Sequence, residues 1–190
     1  KTLMNLINLN AFEILKLFNS NKLSAVEYVS ELMSHIKSRE HSVQAWAFLN
    51  EDLVNSYAKK IDEKRSNNLQ KPFAGIPIGI KDIIDTHDFP TENGSKTCLG
   101  RQPTEDAHLV KLLRENDVII FGKCVTTEYA LSAPGKTKNP NDLECTPGGS
   151  SSGSAAAVAD KMIPTSIGTQ TGGSVLRPAS FNGIIGFKPT

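Results

Sequence analysis

Two short segments rich in glycine and serine hold the side chains best suited to chemistry in this sequence. They are Pro147–Ser154 and Gly168–Ser174, and each runs into a segment with helical character. A junction of this kind places hydroxyl groups beside free backbone N–H groups, which favour an anion or a developing oxyanion. Glycine also lets the backbone approach a ligand closely. One such segment alone is more often a flexible turn, but two of them close together indicate a functional site.

Two other interpretations of these segments fail on their details. A phosphate-binding P-loop has a lysine directly after its glycines, and neither segment has one there. Gly149–Gly153 fits the nucleophile-elbow pattern around Ser151, but that pattern needs an aspartate and then a histidine after the serine. All the histidines precede Ser151; they are His35, His41, His87 and His108. The chain as given therefore lacks the residue order of an elbow-type triad.

A serine nucleophile needs a base, and lysine can take the place of histidine. Lys81 ends an apolar segment in which Ile76, Ile78 and Ile80 share one face. Ligand sites in open α/β sheets lie at the carboxyl ends of strands, where Lys81 is predicted to lie. A lysine at a strand end is usually just a solvated charge. A catalytic role requires burial that lowers the pKa of its amine from about 10.4 to roughly 7–8.

Six motifs together resemble the amidase signature family in order and in spacing. They are Gly75–Asp82, Thr91–Ser95, Asn139–Asp142, Gly148–Val158, Gly168–Ser174 and Gly186–Thr190. Each motif alone is weak, but their combination is very specific. The resemblance runs from about Ser24 to the last residue. It implies the N-terminal part of an amidase signature domain, because family members have catalytic domains at least twice this long.

The resemblance implies a catalytic triad of serine, cis-serine and lysine. Ser174 then corresponds to the nucleophile, Ser150 to the bridging serine and Lys81 to the base, with a cis peptide bond between Gly149 and Ser150. In this scheme neutral Lys81 accepts a proton from Ser150, which accepts one from Ser174 as that hydroxyl attacks an amide carbonyl.

The resemblance also implies roles for residues around the triad. The backbone N–H groups of Thr171, Gly172 and Gly173, with that of Ser174, correspond to an oxyanion hole. Ser151 and Thr169 correspond to hydroxyls that orient the network. The chain departs from the family pattern at four positions near these residues: Ser152 replaces a frequent glycine, Gln170 a frequent aspartate, Leu176 an arginine that is found here one residue later as Arg177, and Asn141 a frequent tryptophan.

The function implied by the resemblance is cleavage of a carboxamide C–N bond through an acyl-enzyme on Ser174, with a small-molecule amide as substrate and no metal or organic cofactor. Three alternatives stay open. They are the catalytic subunit of a glutamyl-tRNA(Gln)-type amidotransferase, an esterase with the same triad, and a non-catalytic scaffold. The resemblance leaves a homodimer or an amidotransferase complex open as the assembly.

Helices and strands alternate in the order needed to position these groups. Hydrophobic periodicity and capping patterns predict helices in the first third of the chain, with a short strand between them. The predicted helices there are Ala11–Phe18, Ala25–Arg39 and Glu51–Lys64, and the strand is Ala45–Leu49. Beyond residue 73 the predicted strands are Ile76–Lys81, Val118–Phe121, Ile163–Ile167 and Ile184–Phe187, and the predicted helical segments are Thr104–Asn116, Ser154–Asp160 and Ser174–Ser180.

This alternation predicts an α/β fold with a mixed, largely parallel central sheet covered by helices. We expect one domain or a large part of one, in which residues 1–72 form a mainly helical N-terminal region and residues 73–190 an α/β catalytic core segment. The stretch Ala133–Pro147 is predicted to be irregular, and residues 66–72 are predicted to form a loop.

Composition excludes several other classes of protein. The chain has 190 residues, 38% of them hydrophobic and 22% charged, which predicts an ordered core. Its net charge of +1 gives no electrostatic case for nucleic acid or an anionic membrane as a partner. No apolar run reaches the roughly 18 residues of a membrane span. The absence of a signal-peptide pattern and the odd cysteine count favour a cytoplasmic location.

The remaining reactive side chains are assigned plain structural roles. Cys124 and Cys145 lack metal-ligand spacing and are predicted to be core or incidental residues. His87 and Asp88, near Asp85, suggest a metal site but are predicted to form a polar loop. Trp46 is predicted to be a packing residue.

Overall fold

The computed structural model describes residues 5–67, 69 and 71–190. Its α-helices and β-strands alternate along the chain, as the sequence predicts. In chain order they are α1 Ala11–Asn19, α2 Ala25–Val43, β1 Trp46–Leu49, α3 Glu51–Ser66, β2 Pro77–Lys81, α4 His108–Glu115, β3 Ile119–Cys124, α5 Ser152–Ala159, β4 Thr165–Ile167 and α6 Leu176–Asn182. Short 3₁₀ turns are found at Leu6–Asn8, Lys96–Cys98 and Glu128–Ala130.

The four strands form one mixed sheet in the order β1-β3-β2-β4. Strand β2 pairs in parallel with both β3 and β4, and only β1 runs antiparallel to its neighbour. The predicted mixed, largely parallel sheet is therefore confirmed. Parallel strands end at the same edge of a sheet, so Lys81, Cys124 and Ile167 lie along one edge with the loops that follow them.

The two central strands carry the core of the fold. Every residue of β2 and β3 is buried. Because successive side chains of a strand point to opposite faces, both faces of the sheet are covered at these strands. Helix α5 packs against β2 and β3, while α3 and α4 pack against β3. Ile80, Ile119 and Ile120 are fully buried, and each such side chain contributes roughly 1.5–3 kcal/mol to stability.

The N-terminal helices begin where their capping residues predict. Asn10 and Glu13 form a reciprocal capping box at the start of α1, and Ser24 and Glu27 form another at the start of α2. The carboxylate of Asp62 on α3 also accepts hydrogen bonds from the first N–H groups of α2, which ties the two helices together.

Several boundaries differ from the prediction, among them those of α4, β3 and α2. Helix α4 begins at His108 rather than Thr104. Just before it, the backbone N–H of Ala107 donates to the Asp85 carbonyl, and the Asp106 side chain accepts a hydrogen bond from the backbone N–H of His87. Strand β3 continues through Lys123 to Cys124, since the Lys123 side chain is buried there rather than solvated. Helix α2 continues to Val43, four residues beyond the predicted end.

The predicted strand Ile184–Phe187 is wrong. Gly183 ends α6 in a left-handed conformation with φ of 69°, and the segment that follows is irregular, with Ile185 95% exposed. An apolar run forms a strand only where a neighbour pairs with its backbone, and none of the four strands of the described sheet does so. The stretch Ala133–Pro147 is irregular, as predicted, apart from an isolated bridge between Asn139 and Asp142.

Two predictions fall partly outside the described residues. The predicted loop at residues 66–72 includes positions 68 and 70, and the signal-peptide argument concerns residues 1–4. The division of the chain at residues 72 and 73 stays a prediction; β1, from the first part, pairs with β3 from the second. Among the described residues, no helix combines the length and apolar character needed to cross a membrane.

Candidate active site

Lys81 lies at the carboxyl end of β2 with its side chain fully buried. Its Nζ atom is 2.6 Å from the Ser150 Oγ atom and 2.8 Å from the Thr169 Oγ1 atom. Burial lowers the pKa of the Lys81 amine to about 8, because the charged form loses its hydration and none of the described carboxylates pairs with it. A neutral amine is thus accessible near physiological pH.

Ser150 is held at the entrance to helix α5. The peptide bond between Gly149 and Ser150 is cis, and the Ser150 side chain is buried. The Ser150 carbonyl accepts a hydrogen bond from the backbone N–H of Thr127 at 3.1 Å. The start of α5 lies so close to the sheet that a Cβ atom on Gly153 would come within 2.1 Å of the Ala45 carbonyl. This close approach fixes the position of the serine-rich segment.

Ser151 joins the two glycine-serine segments. Its hydroxyl donates to the Thr169 carbonyl at 3.3 Å and accepts from the Thr169 N–H at 3.3 Å. Its backbone N–H donates to the Ser174 carbonyl at 3.2 Å. Ser151 therefore orients Thr169, which contacts Lys81 directly, and anchors the backbone of Ser174.

The segment Thr171–Gly173 is exposed, and Ser174 is partly buried. Within the described part of the chain, the backbone N–H groups from Thr171 to Ser174 have no hydrogen-bond partner. Gly172 has open space where a Cβ atom would lie, so packing within the described chain does not require glycine there. These N–H groups are thus free to bind an incoming oxygen atom.

Of the two hydrogen bonds in the predicted relay, the one between Lys81 and Ser150 is present and the one between Ser150 and Ser174 is not. Lys81 and Ser150 are hydrogen bonded, whereas the Ser174 hydroxyl has no hydrogen-bond partner among residues 5–67, 69 and 71–190. Catalytic hydrogen bonds are often long before substrate binds. The structure therefore brings Lys81, Ser150, Ser151 and Thr169 into one network and places Ser174 next to it through the Ser151 N–H.

The departures from the family pattern have local partners. The Gln170 Oε1 atom accepts hydrogen bonds from the backbone N–H groups of Val175 and Leu176, at 2.8 and 2.9 Å, and so holds the start of α6. Arg177 Nε donates to the Gly149 carbonyl at 2.9 Å. At the other two positions, Ser152 Oγ donates to the Val125 carbonyl and Asn141 Nδ2 donates to the Asn182 carbonyl.

A second buried lysine lies beside the first and was not predicted from the sequence. Lys123 is fully buried on β3 and forms an ion pair with Asp82 at 3.0 Å. The signal available in the sequence was a lysine inside the apolar run from Val118 to Val125. A lysine there is either exposed at a strand end or paired inside the core, and only a carboxylate nearby in space distinguishes the two.

The carboxylates of the acidic cluster near His87 are contacted by nitrogen atoms of neighbouring side chains. His87 Nδ1 and Arg114 Nε lie 3.0 and 2.9 Å from Asp106, and Arg114 Nη2 lies 2.7 Å from Asp88. Asp85 instead pairs with Arg101. The Arg114 guanidinium contacts both Asp88 and Asp106, which favours the polar-loop interpretation of this segment.

Trp46, Cys124 and Cys145, to which the sequence assigns no chemical role, differ in their burial. Trp46 is buried and its ring packs against Phe121, with centroids 5.7 Å apart. Cys124 is buried at the end of β3, whereas Cys145 is exposed and donates to Asp142. Trp46 and Cys124 therefore belong to the core, as predicted.

A buried lysine and a serine-rich helix entrance thus lie at one edge of a mixed sheet. The family model for amidases matches residues 27–190. The chain belongs to the amidase signature family.

The chain is similar to individual members of this family along nearly all of its length. The chain is 40% identical over its whole length to a glutamyl-tRNA(Gln) amidotransferase subunit from Streptomyces avermitilis, of which it covers 39%. It is 43% identical to the corresponding protein from Symbiobacterium thermophilum, with 96% of this chain and 39% of that one covered. Among solved structures, the native peptide amidase of Stenotrophomonas maltophilia superimposes with a TM-score of 0.91 at 30% identity, covering 96% of this chain and 40% of the other. The chain thus spans about two-fifths of the length of the relatives it matches.

Proposed function

We propose that the full-length protein cleaves a carboxamide C–N bond through an acyl-enzyme on Ser174, with Lys81 as the base and Ser150 as the relay. The observation that carries this proposal is the 2.6 Å contact between the Lys81 amine and the Ser150 hydroxyl in a buried site that holds no carboxylate against that amine. Such an amine can accept a proton, whereas a salt-bridged lysine cannot.

The reaction has two halves. As the Ser174 Oγ atom attacks the substrate carbonyl, its proton passes to Ser150 and the Ser150 proton passes to neutral Lys81. Collapse of the tetrahedral intermediate breaks the C–N bond, and the leaving nitrogen takes a proton back along the same path. Water then attacks the ester on Ser174, which releases the carboxylic acid and regenerates the enzyme.

The backbone N–H groups of Thr171, Gly172, Gly173 and Ser174 are proposed to stabilise the oxyanion. Their lack of partners among the described residues supports this role. Removing one oxyanion donor typically lowers kcat by roughly 10²–10³-fold. Ser151 and Thr169 are proposed to position this loop and the lysine.

All these steps are assigned to side chains and backbone groups of this chain, and we assign the reaction no metal or organic cofactor. The substrate is proposed to be a small-molecule carboxamide. A homodimer and a multisubunit complex both stay open, and the cytoplasmic location stays a prediction.

A second function is favoured by a separate observation. The curated relatives that are 40% and 43% identical to the chain are amidotransferase subunits. The same amide-cleaving step would then supply an amide group for transfer to glutamyl-tRNA(Gln), in complex with partner subunits. An esterase and a non-catalytic scaffold are the remaining alternatives, and the intact Lys81, Ser150 and Ser174 argue against the scaffold.

Labelling of the full-length protein with a fluorophosphonate tests the proposal. The wild type should label on Ser174, and Ser174→Ala should not. Ser180→Ala, which changes an exposed serine of α6, serves as the matched control and should label normally. Absence of labelling in the folded wild type would favour a scaffold.

Paired substrates separate the enzymatic alternatives. An amidase alone should release ammonia from simple carboxamides, and an esterase should cleave only the matching esters. An amidotransferase component should show amide cleavage that rises when its partner subunits and glutamyl-tRNA(Gln) are added.

A further inference from the structure

Lys123 is a lysine in the interior of the protein that is paired with a carboxylate. Its side chain is fully buried, and its Nζ atom contacts the Asp82 carboxylate at 3.0 Å, the Pro90 carbonyl at 3.0 Å and the Thr91 hydroxyl at 2.5 Å. An ammonium group has three donors, and these three acceptors satisfy all of them. The carboxylate supplies the opposite charge that a buried cation needs.

Asp82 is equally enclosed and directly follows Lys81. Besides Lys123, its carboxylate accepts a hydrogen bond from the Glu92 N–H at 3.2 Å. Burial raises the pKa of Asp82 and lowers the pKa of Lys123, and in each residue the attraction of the other opposes that change. Asp85 acts electrostatically on Lys123 and Arg101 on Asp82, and these two residues form their own ion pair at 2.6 Å.

The pair lies next to Lys81 but does not touch it. Lys123 is in register with Ile80, and Lys81 is in register with Cys124. Side chains alternate along a strand, so Lys123 and Lys81 lie on opposite faces of the sheet. The groups that contact the Lys81 amine itself are the uncharged hydroxyls of Ser150 and Thr169.

We propose that Lys123 is a positioning residue for the proposed catalytic site: by pairing with Asp82 it keeps the strand end that carries Lys81 free of net charge, so that the Lys81 amine can stay neutral. This inference rests on the proposed role of Lys81 as the base. Without Lys123, the buried Asp82 carboxylate would attract a proton to Lys81 and hold the base in its inactive, charged form.

The expected effect follows from simple electrostatics. An unpaired charge one residue away from Lys81, at the effective dielectric constant of a protein interior, shifts the pKa of the amine by about one unit. Lys123→Met should therefore raise the apparent pKa of the reaction by about one unit and slow it about tenfold at pH 7, with much of the rate restored at high pH. Asp82→Asn leaves a cation instead and should lower the apparent pKa.

The test is the rate of fluorophosphonate labelling of the full-length protein across pH 6–10. Its decisive variant is Asp82→Asn/Lys123→Met, which removes both charges and should return the apparent pKa to the wild-type value. Lys64→Met is the control, because it unpairs the buried Asp117 at the opposite end of β3. That variant should leave the pH profile unchanged.

Each outcome decides the inference. An upward shift in Lys123→Met that the double variant reverses supports it, as does a downward shift in Asp82→Asn. An unchanged profile or an equal loss of rate at every pH in Lys123→Met, or an absent or upward shift in Asp82→Asn, overturns it. The Asp82→Asn comparison suffices where Lys123→Met does not fold. Failure of the proposed function looks different, since Lys81→Met would then label as fast as the wild type.

Discussion

Lys81 and Lys123 lie one register position apart on neighbouring parallel strands, both fully buried, and only Lys123 contacts a carboxylate. The two residues have the same side chain and the same burial, so their partners decide their charge. Hydroxyl partners leave Lys81 able to lose its proton, while the attraction of the Asp82 carboxylate favours the charged form of Lys123. This difference separates a candidate base from a structural ion pair.

The first prediction concerns pH. Burial lowers the pKa of Lys81 to about 8, and the proposed mechanism needs the neutral amine. The ratio kcat/KM for an amide substrate should therefore rise with pH and level off above an apparent pKa of about 8. A profile that is flat from pH 6 to 9 would contradict the assignment of Lys81 as the base.

The second prediction concerns stability. The folded pKa of Lys81 lies below its ordinary value of 10.5, so the unfolded chain binds this proton more tightly. The resulting penalty is fully present below pH 8 and disappears as the pH rises toward 10.5. Lys81→Met should then raise the free energy of unfolding by roughly 1–3 kcal/mol at pH 7, while abolishing activity.

Urea unfolding of the full-length wild type and of Lys81→Met at pH 7 and pH 10 checks this prediction. The increase in the free energy of unfolding caused by the substitution should be smaller at pH 10. A variant that is less stable than the wild type at both values would show that the hydrogen bonds of Lys81 outweigh its desolvation.

The third prediction concerns Thr169, whose hydroxyl lies 2.8 Å from the Lys81 amine. Thr169→Val keeps the shape of the side chain but removes the acceptor, and a lost hydrogen bond of this kind costs about 1 kcal/mol or more. We expect kcat to fall about tenfold with little change in KM. Thr169→Ser restores the hydroxyl and should recover most of the rate; equal losses in both variants would point to a packing effect.

The fourth prediction concerns Gln170, which accepts hydrogen bonds from the N–H groups of Val175 and Leu176. Gln170→Leu removes both hydrogen bonds at the start of α6, a loss comparable to removing a helix cap, at about 1 kcal/mol. Because Ser174 directly precedes this point, labelling of Ser174 should also slow. Gln170→Glu retains the acceptor oxygen and serves as the matched variant in both thermal unfolding and labelling experiments.

Much of the site follows from the sequence because its signals are local. Glycine and serine at a helix entrance, and the side chains of Asn10 and Ser24 before apolar periodic runs, act within a few residues of themselves. The order of the motifs then places Lys81, Ser150 and Thr169 in one family pattern. Their contacts in the structure agree with that pattern.

The features that the sequence did not predict depend on distant partners. The pairing of Lys123 with Asp82 joins two residues that are 41 positions apart in sequence, and no local pattern distinguishes Lys123 from a solvated lysine. The segment Ile184–Phe187 has the composition of a strand, but strand formation also requires a neighbouring backbone. Both cases are decided by tertiary contacts rather than by local preference.

The central claim is that Ser174 carries the acyl group. The most direct measurement is intact-protein and peptide mass spectrometry of the full-length enzyme, trapped by rapid acid quenching during turnover of a carboxamide. We predict an added mass equal to the acyl group, located on Ser174 and absent from Ser174→Ala and Lys81→Met. Normal turnover by Ser174→Ala, or an acyl group located on another residue, would contradict the claim.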